Sequence, residues 1–179
     1  MNKLYLVGLP ASGKTTTAKW LANKLGWTFV DLDQMIESQL GMTVSVIFET
    51  HGEEFFRETE AKCLRDTLRM ENVVVGCGGG TAAYHGNMDW MKIHGLTLFL
   101  NTSLEVLVGR IGAELALRPM FSGKNESEIL NKLSQIAENR SIYYSSAKIV
   151  WNRSEPNDML YRVVNQMIEK NGLRFFSNC

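Results

Sequence analysis

Eight residues near the amino end, Gly8-Leu9-Pro10-Ala11-Ser12-Gly13-Lys14-Thr15, fit the pattern G-x-x-x-x-G-K-[ST]. Such a loop binds phosphate for a physical reason: its glycines let the backbone turn until several amide N–H groups point inward. A helix starting near Lys14 would add its positive dipole end. Lys14 would neutralise β and γ oxygens of a nucleotide, and the Thr15 hydroxyl would ligate Mg²⁺. The loop leaves the fate of the phosphate open: hydrolysis, a signalling switch, or transfer to a bound acceptor.

Other residues bear on an acceptor. Asp31-Leu32-Asp33 follows an apolar run, and alternation in an extended segment places both carboxylates on one face at a strand's carboxyl end. One would reach Mg²⁺ through water while the other accepts a hydrogen bond from an acceptor hydroxyl; helix capping is the alternative. In Phe55-Phe56-Arg57-Glu58-Thr59-Glu60, a helical stretch puts Phe56, Cys63 and Leu64 on one apolar side and Arg57 on another. An arginine beside aromatics suits bidentate capture of a carboxylate, with Glu58 or Glu60 balancing its charge; a solvated ion pair is the plainer reading. Cys77-Gly78-Gly79-Gly80-Thr81 follows another apolar run, so bare backbone there permits close ligand approach or simply turns the chain. Cys77 reads as a small buried hydrophobe. Arg110, Arg118 and Arg140 complete the basic set; Arg118 lies in a stretch between Gly112 and Gly123 that reads as a mobile lid, which would exclude water from a transferring phosphoryl group. His51, His85 and His94 stand apart and receive no role.

The elements that would hold these residues are legible from periodicity. Short β-rich runs at Leu4–Val7, Thr28–Val30, Asn72–Val75, Leu96–Leu100 and Lys148–Trp151 alternate with helical patterns, which implies a mainly parallel sheet. Ala18, Leu21, Ala22 and Leu25 fall at helical spacing before a Gly26 stop; Leu104, Leu107, Val108 and Ile111 follow a capping box from Thr102 to Glu105. Asn125 to Glu128 caps a further helix carrying Arg140, and Leu160, Val163, Val164, Met167 and Ile168 line a last helix expected to end at Gly172. Met88, Trp90 and Met91 read as packing.

The chain's 179 residues suit one domain, 1–179, with the lid at about 112–124. Nineteen basic and nineteen acidic residues give no general electrostatic attraction to nucleic acid or membrane. Three dispersed cysteines form neither a disulfide framework nor a zinc pattern, and a reduced, cytoplasmic setting is expected. A monomer is expected.

Taken in order, GLPASGKT, Asp31-Leu32-Asp33, Phe56-Arg57 with Glu60, Gly78-Gly79-Gly80, Leu117-Arg118-Pro119 and Arg140 followed by Tyr144 resemble shikimate kinase over nearly the whole chain. The resemblance implies an α/β, three-layer P-loop fold of the nucleoside-monophosphate-kinase kind, with a five-stranded parallel sheet flanked by helices. It implies ATP as co-substrate, Mg²⁺ as cofactor, and phosphoryl transfer to the 3-hydroxyl of shikimate, giving shikimate 3-phosphate in aromatic amino acid biosynthesis. By the same resemblance Asp33 binds the acceptor hydroxyls as a catalytic residue, with Lys14 and Arg118 stabilising the transferring phosphate. Arg57 and Arg140 clamp the acid, and Gly78, Gly79 and Gly80 meet it through backbone. Ala11, Ser12, Gly13, Lys14, Thr15 and Thr16 hold the nucleotide, Arg110 and Arg153 flank its base, and Thr15 and Asp31 hold the metal. Ala11, where the family often has glycine, and Cys77 depart from the family pattern. A gluconate kinase and an ATP-binding regulatory module without transfer are the rival readings; the joint presence of Lys14, Thr15, Asp31, Asp33 and Arg118 argues against the latter.

Overall fold

A computed structural model of the chain describes residues 2–115 and 119–170. Five parallel strands, β1 (Lys3–Val7), β2 (Thr28–Asp31), β3 (Val73–Gly76), β4 (Leu96–Asn101) and β5 (Ile149–Asn152), form one sheet in the order β2-β3-β1-β4-β5. Alternation along β1 divides its side chains: Tyr5 and Val7 face one core, Leu4 and Leu6 the other. Both faces are covered, which is why the strands read as unbroken apolar runs.

On one face lie α1 (Lys14–Leu25) and α7 (Asn157–Lys170), through Ala18, Leu21, Ala22 and Leu25 of the former and Leu160, Val164 and Ile168 of the latter. On the other face pack α2 (Leu32–Leu40), α3 (Val44–Asp66), α4 (Asn87–His94), α5 (Leu104–Ala113) and α6 (Glu126–Ser145). Each fully buried leucine or isoleucine in these stripes contributes about 1.5–3 kcal/mol. The helix α3 bends at Gly52, whose backbone leaves helical geometry at φ 81°. Gly26 ends α1 in the left-handed conformation, and Asn125 caps α6 in a complete capping box with Glu128. Met88 and Met91 are buried in the core, and Trp90 packs against it.

Two local expectations fail. Asp33 does not continue an extended segment, because β2 stops at Asp31 and α2 begins at Leu32. The side chain of Asp31 accepts from the backbone N–H of Asp33 at 3.1 Å and of Gln34 at 3.4 Å, so the cap outcompetes strand alternation. The box from Thr102 to Glu105 is also absent: Ser103 is the N-cap of α5 and makes no side-chain cap bond. The Thr102 hydroxyl instead donates to the carbonyl of Ser12 at 3.3 Å. The expected stop at Gly172 lies outside the described residues, and no helix among those described is long and apolar enough to cross a membrane.

Candidate active site

The sheet order places β1 between β3 and β4, where connections leave in opposite directions and a crevice opens at the strands' carboxyl ends. The phosphate loop leaves β1 at that crevice and feeds α1. Gly13 stands before α1 at φ 90°, a conformation costly to any residue with a Cβ. Ala11 adopts φ 62°, so the departure from glycine there is carried as backbone strain. The Lys14 ammonium, 9% exposed, donates to the carbonyls of Gly8 at 3.0 Å and Leu9 at 2.9 Å, folding the side chain back over its own loop. The Ser12 hydroxyl is buried toward Gly8, has no hydrogen-bond partner among the described residues, and does not line the cavity.

A cavity of about 630 Å³ opens above the loop. Ala11, Gly13, Lys14, Thr15 and Thr16 form one wall, Asp31, Asp33, Gly78 and Gly79 another, and Arg110 and Arg153 a third. Thr15 donates its hydroxyl to Asp31 at 3.2 Å, bringing a hydroxyl and a carboxylate together beside the phosphate loop. Arg110 donates to the carbonyl of Ala11 at 3.0 Å, and Arg153 is held by Asn157 at 2.8 Å.

Asp33 projects from the first turn of α2 into the same cavity. Burial, together with the carboxylates of Glu60 and Asp31, pushes its carboxyl up from the ordinary 3.8 to about 6, against the opposing pull of Lys14 and Arg57. It is therefore ionised at neutral pH yet a better proton acceptor than an exposed aspartate.

Behind Asp33 stands a buried ion network on α3. Arg57, 6% exposed, donates from Nη1 to Glu60 at 2.9 Å, and from Nε and Nη2 to Glu53 at 3.2 and 3.1 Å. Glu60 is fully buried and also accepts from the Thr81 hydroxyl at 2.5 Å. Burial lowers the Arg57 guanidinium, but its acidic partners outweigh that effect and hold it above its ordinary value. The pair with Glu60 is buried while Glu53 is 52% exposed, so Arg57 joins a buried and a partly solvated partner, and these are Glu60 and Glu53 rather than Glu58.

The glycine triplet follows from this packing. A Cβ on Gly80 would stand 2.6–2.8 Å from three atoms of the Arg57 guanidinium; one on Gly78 would meet Glu60 at 2.8 Å and Asp33 at 3.0 Å. The carbonyl of Gly79 accepts from Arg140 Nη1 at 2.8 Å and from the Tyr144 hydroxyl, whose ring stacks on Phe99. Arg57, Gly80 and Arg140 therefore adjoin the cavity through Gly79 and Glu60 instead of forming its walls. Cys77 is buried, its thiol pushed well up by burial, as befits a packing residue. Arg118 and part of the stretch 112–124 lie outside the described residues. Glu53, Thr81, Tyr84 and Glu114 escaped sequence reasoning; of these only Glu53 carried a signal, its i, i+4 spacing to Arg57.

A parallel sheet with a phosphate loop joined to an acidic and basic acceptor corner defines a P-loop phosphotransferase of small molecules. Comparison with known proteins specifies it. The shikimate kinase family model matches residues 10–170. Shikimate kinase from Bacteroides thetaiotaomicron is 37% identical over 158 residues, 88% of this chain and 90% of that protein. Shikimate kinase from Persephonella marina is 38% identical over 168 residues, 94% of this chain and 98% of that protein. The chain therefore belongs to the shikimate kinase family. Solved structures agree: the Bacteroides thetaiotaomicron enzyme superposes with a TM-score of 0.87 at 33% identity, covering 94% of this chain and 98% of that one. Shikimate kinase from Acinetobacter baumannii in complex with shikimate gives 0.84 at 30%, covering 97% and 96%. A gluconokinase from Sinorhizobium meliloti, at 17% identity and a TM-score of 0.61, shares the fold alone.

Proposed function

We propose that the chain transfers the γ-phosphoryl group of ATP to the 3-hydroxyl of shikimate, giving shikimate 3-phosphate and ADP. Family membership supports the reaction, and one observation carries the site: Asp33 shares a single cavity with the phosphate loop on one side and borders the Arg57–Glu60 network on the other. In this reading the acceptor oxygen forms a bond to the γ-phosphorus as the bridging bond to the β-phosphate breaks, and Asp33 orients the hydroxyl and takes its proton. Lys14 leaves the loop carbonyls for the β and γ oxygens, and Arg118 neutralises charge on the transferring group. Ser12, Gly13 and Thr16 bind phosphate, Arg110 and Arg153 flank the base, and the segment 112–124 acts as a lid.

Arg57 and Arg140 grip the acid, and the backbone of Gly78, Gly79 and Gly80 borders it. The adjacent oxygens of Thr15 and Asp31 fit Mg²⁺, a hard cation that takes such ligands beside phosphates. When bound it would draw charge from the phosphate oxygens. The chain acts in the cytoplasm without nucleic acid or membrane partners, a reading supported by its balanced charge and separately buried thiols Cys63 and Cys77, and it is read as a monomer.

A coupled ADP-release assay tests this with shikimate, with gluconate and with no acceptor. Release only with shikimate is expected. Release with gluconate alone would assign the chain to another acceptor, and ATP binding without release in any arm would make it a binding module.

A further inference from the structure

Tyr84 follows the 3-10 turn Thr81–Ala83 beyond the glycine triplet. It is half-buried, and its ring centroid lies 4.5 Å from the Arg57 guanidinium carbon, nearer than Phe56 at 5.1 Å or Phe48 at 5.9 Å. Its hydroxyl donates at 3.1 Å to Glu53 Oε1, the oxygen that also accepts from Arg57 Nε and Nη2. One side chain thus holds the same guanidinium twice, by its ring and, through Glu53, by one edge. Glu60 takes an N–H of Nη1, and Gly80 lies against the guanidinium.

A guanidinium has five N–H groups in a fixed fork. Glu53 and Glu60 occupy Nε, one N–H of Nη2 and one of Nη1. One N–H on each terminal nitrogen remains outside these bonds, and these two are the donors left for a carboxylate. Rotation of the guanidinium would redirect those donors, and Tyr84 with Glu53 opposes the rotation.

We infer that Tyr84 is a positioning residue that fixes the acid-gripping donors of Arg57 and thereby sets selectivity for a carboxylate over an uncharged group at that place in the acceptor. This rests on Arg57 as the acid-binding residue. Tyr84 acts through Arg57 and Glu53 and takes no part in the phosphoryl step.

The test is steady-state kinetics of Tyr84→Phe and Tyr84→Ala with shikimate and with its uncharged carboxamide, ATP being varied in parallel. Tyr84→Phe, which keeps the ring, raises the shikimate KM by about two- to fivefold, and Tyr84→Ala by about ten- to thirtyfold. The ATP KM and kcat stay within about twofold, and the preference for acid over carboxamide shrinks by the same factor as the KM rises. An unchanged shikimate KM, or equal loss with both acceptors, overturns the inference. If Tyr84→Ala does not fold, the acid-to-carboxamide ratio of Tyr84→Phe decides alone. Arg57→Ala is run alongside: an unchanged shikimate KM there removes the acid-binding reading and this inference together. A raised KM with unaffected Tyr84 variants removes only the inference.

Discussion

The proposed phosphate end comes from consecutive residues, Gly8 to Thr15, whereas the proposed acid end draws side chains from α2, α3 and α6 and backbone from the glycine triplet. In the first, Ala11 stands between the motif residues at the cost of a positive φ. In the second, polar groups from distant positions hold one another: Arg57 is held by Glu53 and Glu60, Glu60 also by the Thr81 hydroxyl, and Asp33 feels Glu60 and Asp31 against Lys14 and Arg57. Removing Arg57 or Glu60 leaves the other as a buried charge without that ionic partner, which is more damaging than losing the pair's own attraction. The phosphate end is a local motif; the acid end is a tertiary construction.

Asp33→Asn separates chemistry from stability at the junction of the two ends. Loss of the acceptor for the hydroxyl proton lowers kcat by about 10²- to 10⁴-fold with ATP affinity retained. The folded protein binds the Asp33 proton more tightly than the unfolded chain, since its carboxyl is raised from 3.8 to about 6. This contribution to stability is fully present below about pH 3.8 and is lost as the pH rises through about 6, leaving a cost of about 2–3 kcal/mol at neutral pH. The variant is therefore expected to melt higher than the parent at pH 7–8 and to lack that part of the pH slope. A near-normal kcat, or a lower melting temperature at pH 8, would count against Asp33 as the strained base.

Gly80→Ala strikes the acid end alone. The added methyl meets the guanidinium at 2.6 Å, and Arg57 is pinned on both sides, so the clash is relieved only by tearing it from Glu60. A rise in the shikimate KM of roughly tenfold or more and a stability loss of about 1–3 kcal/mol are expected, with the ATP KM within about twofold. Equal damage to both substrates would show that the two ends are not separable. The smallest effect belongs to Thr102→Val, which removes the hydroxyl bound to the Ser12 carbonyl at 3.3 Å. Less than about 1 kcal/mol is expected, visible as about a twofold change in the ATP KM with that for shikimate unmoved.

That same division explains what the sequence reveals. All five strands and the α1 and α7 stripes are read from apolar periodicity, because the sheet is buried on both faces and its helices bury single stripes. The phosphate loop is read from its spacing because its parts are neighbours in the chain. Asp33 lines the cavity from a different element than its spacing suggests: strand alternation gives way to the cap that Asp31 makes at the start of α2. The false box at Thr102 failed because a distant carbonyl, that of Ser12, competes for its hydroxyl. The glycine triplet was legible as bare backbone, yet its cause is the guanidinium and carboxylates packed behind it, which no local pattern announces. Tyr84 meets Glu53 across 31 positions of sequence, and nothing nearby in the chain points to that bond.

Titration calorimetry of shikimate into the wild type and Arg57→Ala most directly tests the claim that an arginine network, separate from the phosphate loop, grips the acid. Affinity for shikimate is predicted to fall by about ten- to a hundredfold in the variant, with affinity for ATP unchanged. Equal shikimate affinity in the two proteins, with both folded, would contradict it.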